Sequence, residues 1–111
     1  MVQWDLDYKT RKLKTDGVTA KATWAYCVDI ERVQGAVQAN GKIYISRSNN
    51  ANPGDMFGWV PGSSAHENSG FFPRSPEDLS YNKKGNDLYG ITEAAGSRYI
   101  LTMDASSVKF D

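Results

Sequence analysis

An all-β chain assembled from repeated antiparallel units is the reading this sequence supports, on three observations. Residues recur 46 positions apart: Glu31 with Glu77, Val33 with Leu79, Asn40 with Asn86, Ile45 with Ile91 and Ser46 with Thr92. Apolar and polar residues alternate, as in Val2-Gln3-Trp4-Asp5-Leu6-Asp7, which is the pattern of a half-buried strand. No stretch of twelve residues shows the three-and-four spacing of an amphipathic helix, and glycines and prolines punctuate the chain throughout. A period near 45 residues in a strand-rich chain predicts four-stranded propeller-type blades, about two and a half of them here. A compact β-sandwich or barrel is the alternative.

The elements follow from this period. With the strands of a blade labelled a to d outwards, the Trp4 strand is a c strand and Thr19 to Val28 its d strand. Val33–Val37, Ile43–Ser46, Met56–Val60 and His66–Phe72 form the next unit, with a hairpin turn at Asn40-Gly41. Leu79–Tyr81, Leu88–Thr92 and Tyr99–Met103 begin a third, turning at Lys84-Gly85-Asn86. The extra residue in Leu88-Tyr89-Gly90-Ile91-Thr92, set against Ile43-Tyr44-Ile45-Ser46, reads as a bulge. Met56–Val60 aligns with Arg98–Thr102 at an offset of 42, so Trp4, Trp59 and Leu101 are expected at equivalent positions. That drop from 46 places a four-residue length difference in the connecting loop, which a loop absorbs cheaply. One domain is expected over 1–111, made of a partial blade (1–30), a full blade (31–72) and a third (75–111).

A second echo spans ninety-seven residues. Asp7-Tyr8-Lys9-Thr10-Arg11-Lys12-Leu13 matches Asp104-Ala105-Ser106-Ser107-Val108-Lys109-Phe110. An aspartate opening such a turn can accept hydrogen bonds from backbone N–H groups just ahead of it.

Composition excludes several classes. Thirteen basic and thirteen acidic residues cancel, and the run Lys9, Arg11, Lys12, Lys14 reads as a solvated turn, so the charge pattern gives no nucleic-acid footprint. No apolar run approaches the roughly 20 residues that span a bilayer, so no membrane is expected, and no signal peptide is visible. Cys27 is the single cysteine, expected to be buried and inert in Trp24-Ala25-Tyr26-Cys27-Val28. His66 is the single histidine; with no strained nucleophile turn and no orienting third group, Ser64 and His66 make no hydrolytic dyad.

From Ile30 to Val108 the chain resembles the C-terminal part of secreted β-propeller-like proteins of fungi and actinobacteria. The residues are Glu31-Arg32-Val33-Gln34-Gly35-Ala36, Lys42-Ile43-Tyr44-Ile45-Ser46-Arg47-Ser48, and Ser75-Pro76-Glu77-Asp78-Leu79-Ser80-Tyr81. Leu88-Tyr89-Gly90-Ile91-Thr92-Glu93 and Gly96-Ser97-Arg98-Tyr99 complete it. The resemblance implies the fold and an extracellular, secreted origin. It implies no agreed activity. Pro76-Glu77 also looks like the loop glutamate of metal-dependent lactonase propellers, which would make Glu77 a metal ligand.

Two groups of residues could carry function. Glu31, Glu77 and Asp78 stand at the starts of predicted inner strands, where gathered carboxylates suit a hard cation such as Ca2+. Arg32 falls opposite Asp78 and would instead make this an ion-pair belt. Arg47 and Glu93 close equivalent b strands, where they either pair with each other or form a polar rim. Asn49, Asn50 and Asn52 follow, and amides beside an exposed aromatic ring can bind a sugar. The expectation is a non-catalytic binding or scaffold module, with carbohydrate as ligand and calcium as the one candidate cofactor. The rival is a secreted metal-dependent hydrolase or lactonase-like propeller. Two and a half blades also expect a partner, either self-association or a missing chain that completes the ring.

Overall fold

A computed structural model of the chain describes residues 1–49, 52–67 and 72–110. Its strands are β1 (Val2–Gln3), β2 (Leu6–Asp7), β3 (Lys12–Leu13), β4 (Trp24–Ala25), β5 (Val33–Ala39) and β6 (Lys42–Arg47). They continue with β7 (Asp55–Trp59), β8 (His66–Glu67), β9 (Pro76–Asn82), β10 (Asp87–Thr92) and β11 (Ile100–Asp104). A 3-10 turn over Ala105–Ser107 follows β11. The chain is all-β.

Two antiparallel meanders form its body. One is a four-stranded sheet ordered β5-β6-β7-β8, the other a three-stranded sheet ordered β11-β10-β9. The N-terminal part forms two short ladders, β1 with β4 and β2 with β3. Among the described residues no strands close into a barrel. The expected first unit is much reduced: the Val2–Asp7 strand breaks at Trp4-Asp5, and of Thr19–Val28 only Trp24-Ala25 pairs. Val18-Thr19-Ala20-Lys21-Ala22-Thr23 alternates, but two of its three apolar positions are alanine, so little burial would reward a strand there.

Strand alternation sorts the side chains of the four-stranded sheet onto two covered faces. Val37, Ala39, Tyr44 and Met56 pack against Leu79, Leu88, Tyr81, Leu101 and Met103 of the three-stranded sheet. Ile43, Ile45, Phe57 and Trp59 pack the other way, against Met1, Trp24, Val28 and Ile30. Trp59 is 2% exposed, with its indole N–H donating to the Ser63 carbonyl at 2.9 Å. Trp24 and Tyr26 pack around it at ring-centroid distances of 5.8 and 6.1 Å. The molecule is thus three layers deep, and its radius of gyration of 15.5 Å exceeds the roughly 13 Å of a compact chain this long. Cys27 departs from expectation: it lies just beyond β4, where the chain has left the sheet, and its thiol is exposed.

The ladders also give the true correspondence between the two meanders. Arg32 and Ser75 both sit at positive φ (55° and 54°) immediately before an inner strand. The Arg32 carbonyl accepts from Ser48 N–H at 3.2 Å, and the Ser75 carbonyl accepts from Glu93 N–H at 3.0 Å. With these as anchors, Ala36 corresponds to Leu79, Ile45 to Gly90 and Phe57 to Leu101. Trp59 therefore corresponds to Met103, two residues along from the expected Leu101. The two-residue turn after β5, against four residues after β9, accounts for one change of offset. The following loops differ by one residue, not by four.

The turn end of the stack is held by a polar network. Asn40 and Asn86 both adopt positive φ, and Asn40 Nδ2 donates to Asn86 Oδ1 at 3.0 Å. The Tyr81 hydroxyl lies 2.9 Å from the same oxygen, and Asn86 Nδ2 donates to Asp104 Oδ1 at 3.0 Å. The two aspartate turns form as their sequence suggests. Asp7 accepts from the N–H groups of Thr10 and Lys9, and Asp104 from the hydroxyl and the N–H of Ser106. These bonds favour the charged form and hold both carboxyls below the usual aspartate range.

Candidate functional site: the strand-end rim

At the end opposite the asparagine network, the polar ends of both meanders converge. Gly54, at the start of β7, lies against Pro73 and Pro76: its N–H donates to the Pro73 carbonyl at 3.2 Å, and an added Cβ would meet the Pro76 ring at 2.7 Å. Gly35 on β5 lies as close to the backbone of Glu77, Asp78 and Leu79. Hence Arg32, Arg47, Asn49, Asp55, Glu77 and Glu93 gather at one edge of the stack.

Within this rim the expected residues find different partners. Arg47 does not meet Glu93. Its Nε donates to Asp55 Oδ2 at 2.8 Å, Nη2 reaches the same oxygen, and the guanidinium lies 4.9 Å from the centroid of the Phe57 ring. Arg47 and Asp55 are direct cross-strand neighbours, so the pair follows from register. In the ladder correspondence Arg47 matches Thr92, whereas Glu93 matches Ser48, so the expected Arg47–Glu93 equivalence shifts by one residue.

Glu93 instead faces Glu77. Partial burial, then the Glu93 charge, then a hydrogen bond with Glu93, all push the Glu77 carboxyl above its ordinary value. Glu31 lies outside β5 and is exposed, and the ladders match it to Arg74 rather than to Glu77. Asp78 is exposed within β9, its Oδ1 accepting from Leu79 N–H at 2.8 Å. Among the described residues no three His, Cys, Asp or Glu side chains are grouped to hold a metal ion. Arg32 does not pair with Asp78; its Nη2 donates to Asn49 Oδ1 at 3.5 Å. Asn52 is exposed, with its N–H on the Asn49 carbonyl at 3.1 Å, and Asn50 lies outside the described residues. His66 takes its expected place on the outermost strand, paired with Gly58.

Sequence reasoning missed Tyr99. Thr92 N–H donates to the Tyr99 carbonyl at 3.1 Å, and Tyr99 N–H donates to Thr92 Oγ1 at 3.0 Å. This brings Tyr99 to the same rim, opposite Thr92, where it is 55% exposed. It occupies the position that Asp55 holds in the other meander. A tyrosine inside an apolar c strand reads as packing, and only the loop length reveals that it stands at the strand's open end. Compared with protein-family models, curated proteins and solved structures, the chain has no significant match to any.

Proposed function

We propose that the chain is a non-catalytic binding module of propeller type, and that its ligand is a carbohydrate held at the strand-end rim. The observation that carries this is an exposed Tyr99 side chain at the same strand end as the Glu77–Glu93 pair. A sugar offers an apolar ring face and a belt of hydroxyls. An aromatic platform takes the first, and carboxylates and amides take the second. Asn49, Asn52 and Arg32 extend the polar belt across the neighbouring meander. The rim mixes both charge signs, which suits an uncharged polyol better than a polyanion. The four-strand meander stacked on its successor supports the blade reading, and an external glycan agrees with a secreted chain.

A second reading draws on the same pair. Two facing carboxylates attract a divalent cation, so calcium is the rival ligand, and with it the hydrolase reading. Calcium takes six to eight oxygens, however, and two carboxylates supply only part of that shell. Glycan-array binding followed by saturation-transfer NMR tests the proposal, with Tyr99→Ala and Glu93→Gln as variants. Binding that falls at least tenfold in Tyr99→Ala, with an unchanged melting temperature, supports it. No glycan bound, together with a melting temperature raised by calcium and lowered by chelator, replaces it with the cation reading.

A further inference from the structure

The layers repeat in a fixed sense, and this leaves one face of the last sheet uncovered. In the four-stranded sheet the row Val37, Tyr44, Gly58 and the row Ser46, Met56 face the following sheet and are covered by it. Their counterparts in the three-stranded sheet are Ser80, Tyr89, Thr102 and the pair Ile91, Ile100. Ile91 and Ile100 are direct cross-strand partners, 45% and 80% exposed. A face that is buried in one meander is therefore open in the next.

At the other end of the stack stands a second exposed aliphatic pair. Leu6 and Leu13 are cross-strand partners in the β2–β3 hairpin, 55% and 45% exposed. Beside them runs a groove of about 1010 Å³ lined by Trp4, Leu6, Tyr8, Lys9, Arg11 and Lys14 among others. Residues 1–14 carry four basic and two acidic side chains, whereas residues 76–104 carry three basic and five acidic ones. Each of the two segments thus carries an exposed aliphatic pair, and the two are opposite in net charge.

We propose that a second copy of this chain docks head to tail, the Leu6/Leu13 hairpin of one copy covering the Ile91/Ile100 face of another. The contact is heterologous: it uses different patches on the two copies, and it continues the layer order already present within one chain. Burying both aliphatic pairs supplies the driving force, and the opposite charges steer the encounter and fix its direction. The proposal uses surfaces away from the strand-end rim, so glycan binding and association fail or succeed separately.

The test is light scattering on the purified chain from about 1 to 200 µM, with Leu6→Glu and Ile100→Glu as single-face variants. The wild type should reach at least twice its 12.3 kDa mass as concentration rises. Each variant alone should need a concentration at least tenfold higher to associate. An equimolar mixture of the two, which retains one intact hairpin and one intact sheet face, should restore a two-copy species. Ile100→Thr, which keeps β propensity, separates loss of contact from loss of fold. A wild type that stays at 12.3 kDa throughout overturns the proposal. So does a mixture that stays monomeric, or an Ile100→Glu variant that associates like the wild type.

Discussion

Gly35→Ala puts the packing of the two meanders to a direct test. Gly35 lies in β5 with no positive φ, so a methyl group there meets no backbone penalty, only a shortage of space. The added Cβ would lie 2.7 Å from Asp78 Cα, 2.8 Å from Leu79 N and 2.9 Å from Glu77 O. All three are backbone atoms of β9, which no rotamer change can move aside. Ordinary carbon contacts lie at about 3.5–4.0 Å, so the sheets must part by roughly 1 Å along their closest seam. Overpacking costs about 1–3 kcal/mol, and backbone against backbone puts this site at the upper end. At roughly 4 °C per kcal/mol for a chain of this size, the melting temperature should fall by about 12 °C. Gly41→Ala serves as the control, because an added Cβ there meets nothing within 4 Å while the residue holds φ at +74°. Its cost is conformational alone, about 1–2 kcal/mol. Calorimetry on both variants decides the matter. If Gly35→Ala melts within about 2 °C of the wild type, the meanders do not meet where the structure places them.

Two further outcomes follow from the core and the rim. Trp59→Ala removes the centre of the Trp24–Tyr26–Trp59 cluster and should cost roughly 3–5 kcal/mol by denaturant titration, whereas a cost near zero would place Trp59 outside the core. Glu77 is shifted upward in the folded state, so its protonated form is the one folding favours; stability is fully present below the unfolded value near 4.5 and is lost as pH rises through the higher folded value. Glu77→Gln should therefore melt with the wild type near pH 4 and above it at pH 7, and a difference that does not change with pH would show that folding does not raise the Glu77 carboxyl.

Much of the fold was legible because alternation and turn chemistry are local. Asn40-Gly41 announces a hairpin, and both residues take the positive φ that such a turn demands. Tyr44, Met56 and Leu88 fall in the core where a period-two pattern puts them. What could not be read was register. Matching letters 46 apart joined Glu31 to Glu77 and Arg47 to Glu93, yet the ladders set the inner strands 43 apart and the next strands 45 apart, because the turn after β9 is two residues longer than the turn after β5. The bulges themselves fall at equivalent places and leave the count unchanged: one is at Gln34 in β5, the other in β9, where Glu77 and Asp78 both face Ile91, so the bulge expected within Leu88–Thr92 lies on the partner strand.

Arg32 and Ser75, unlike in chemistry but alike in conformation, mark the true correspondence, and nothing in their side chains advertises a positive φ. Once register is restored, the rim shows why its chemistry was hard to find by matching. The cross-strand position filled by the Arg47–Asp55 ion pair in one meander is filled by Thr92 and Tyr99 in the other. Core counterparts such as Ile45 and Gly90, or Trp59 and Met103, differ in size but stay apolar, because core neighbours pack on both. A strand end carries no such demand, so equivalent ends are free to diverge. Residues that bind a ligand at a repeated fold's edge are therefore those a repeat search discards: Tyr99 escaped because its counterpart is an aspartate. The same argument makes the Tyr99 ring, 55% exposed where its counterpart is tied into an ion pair, the most informative side chain to change first.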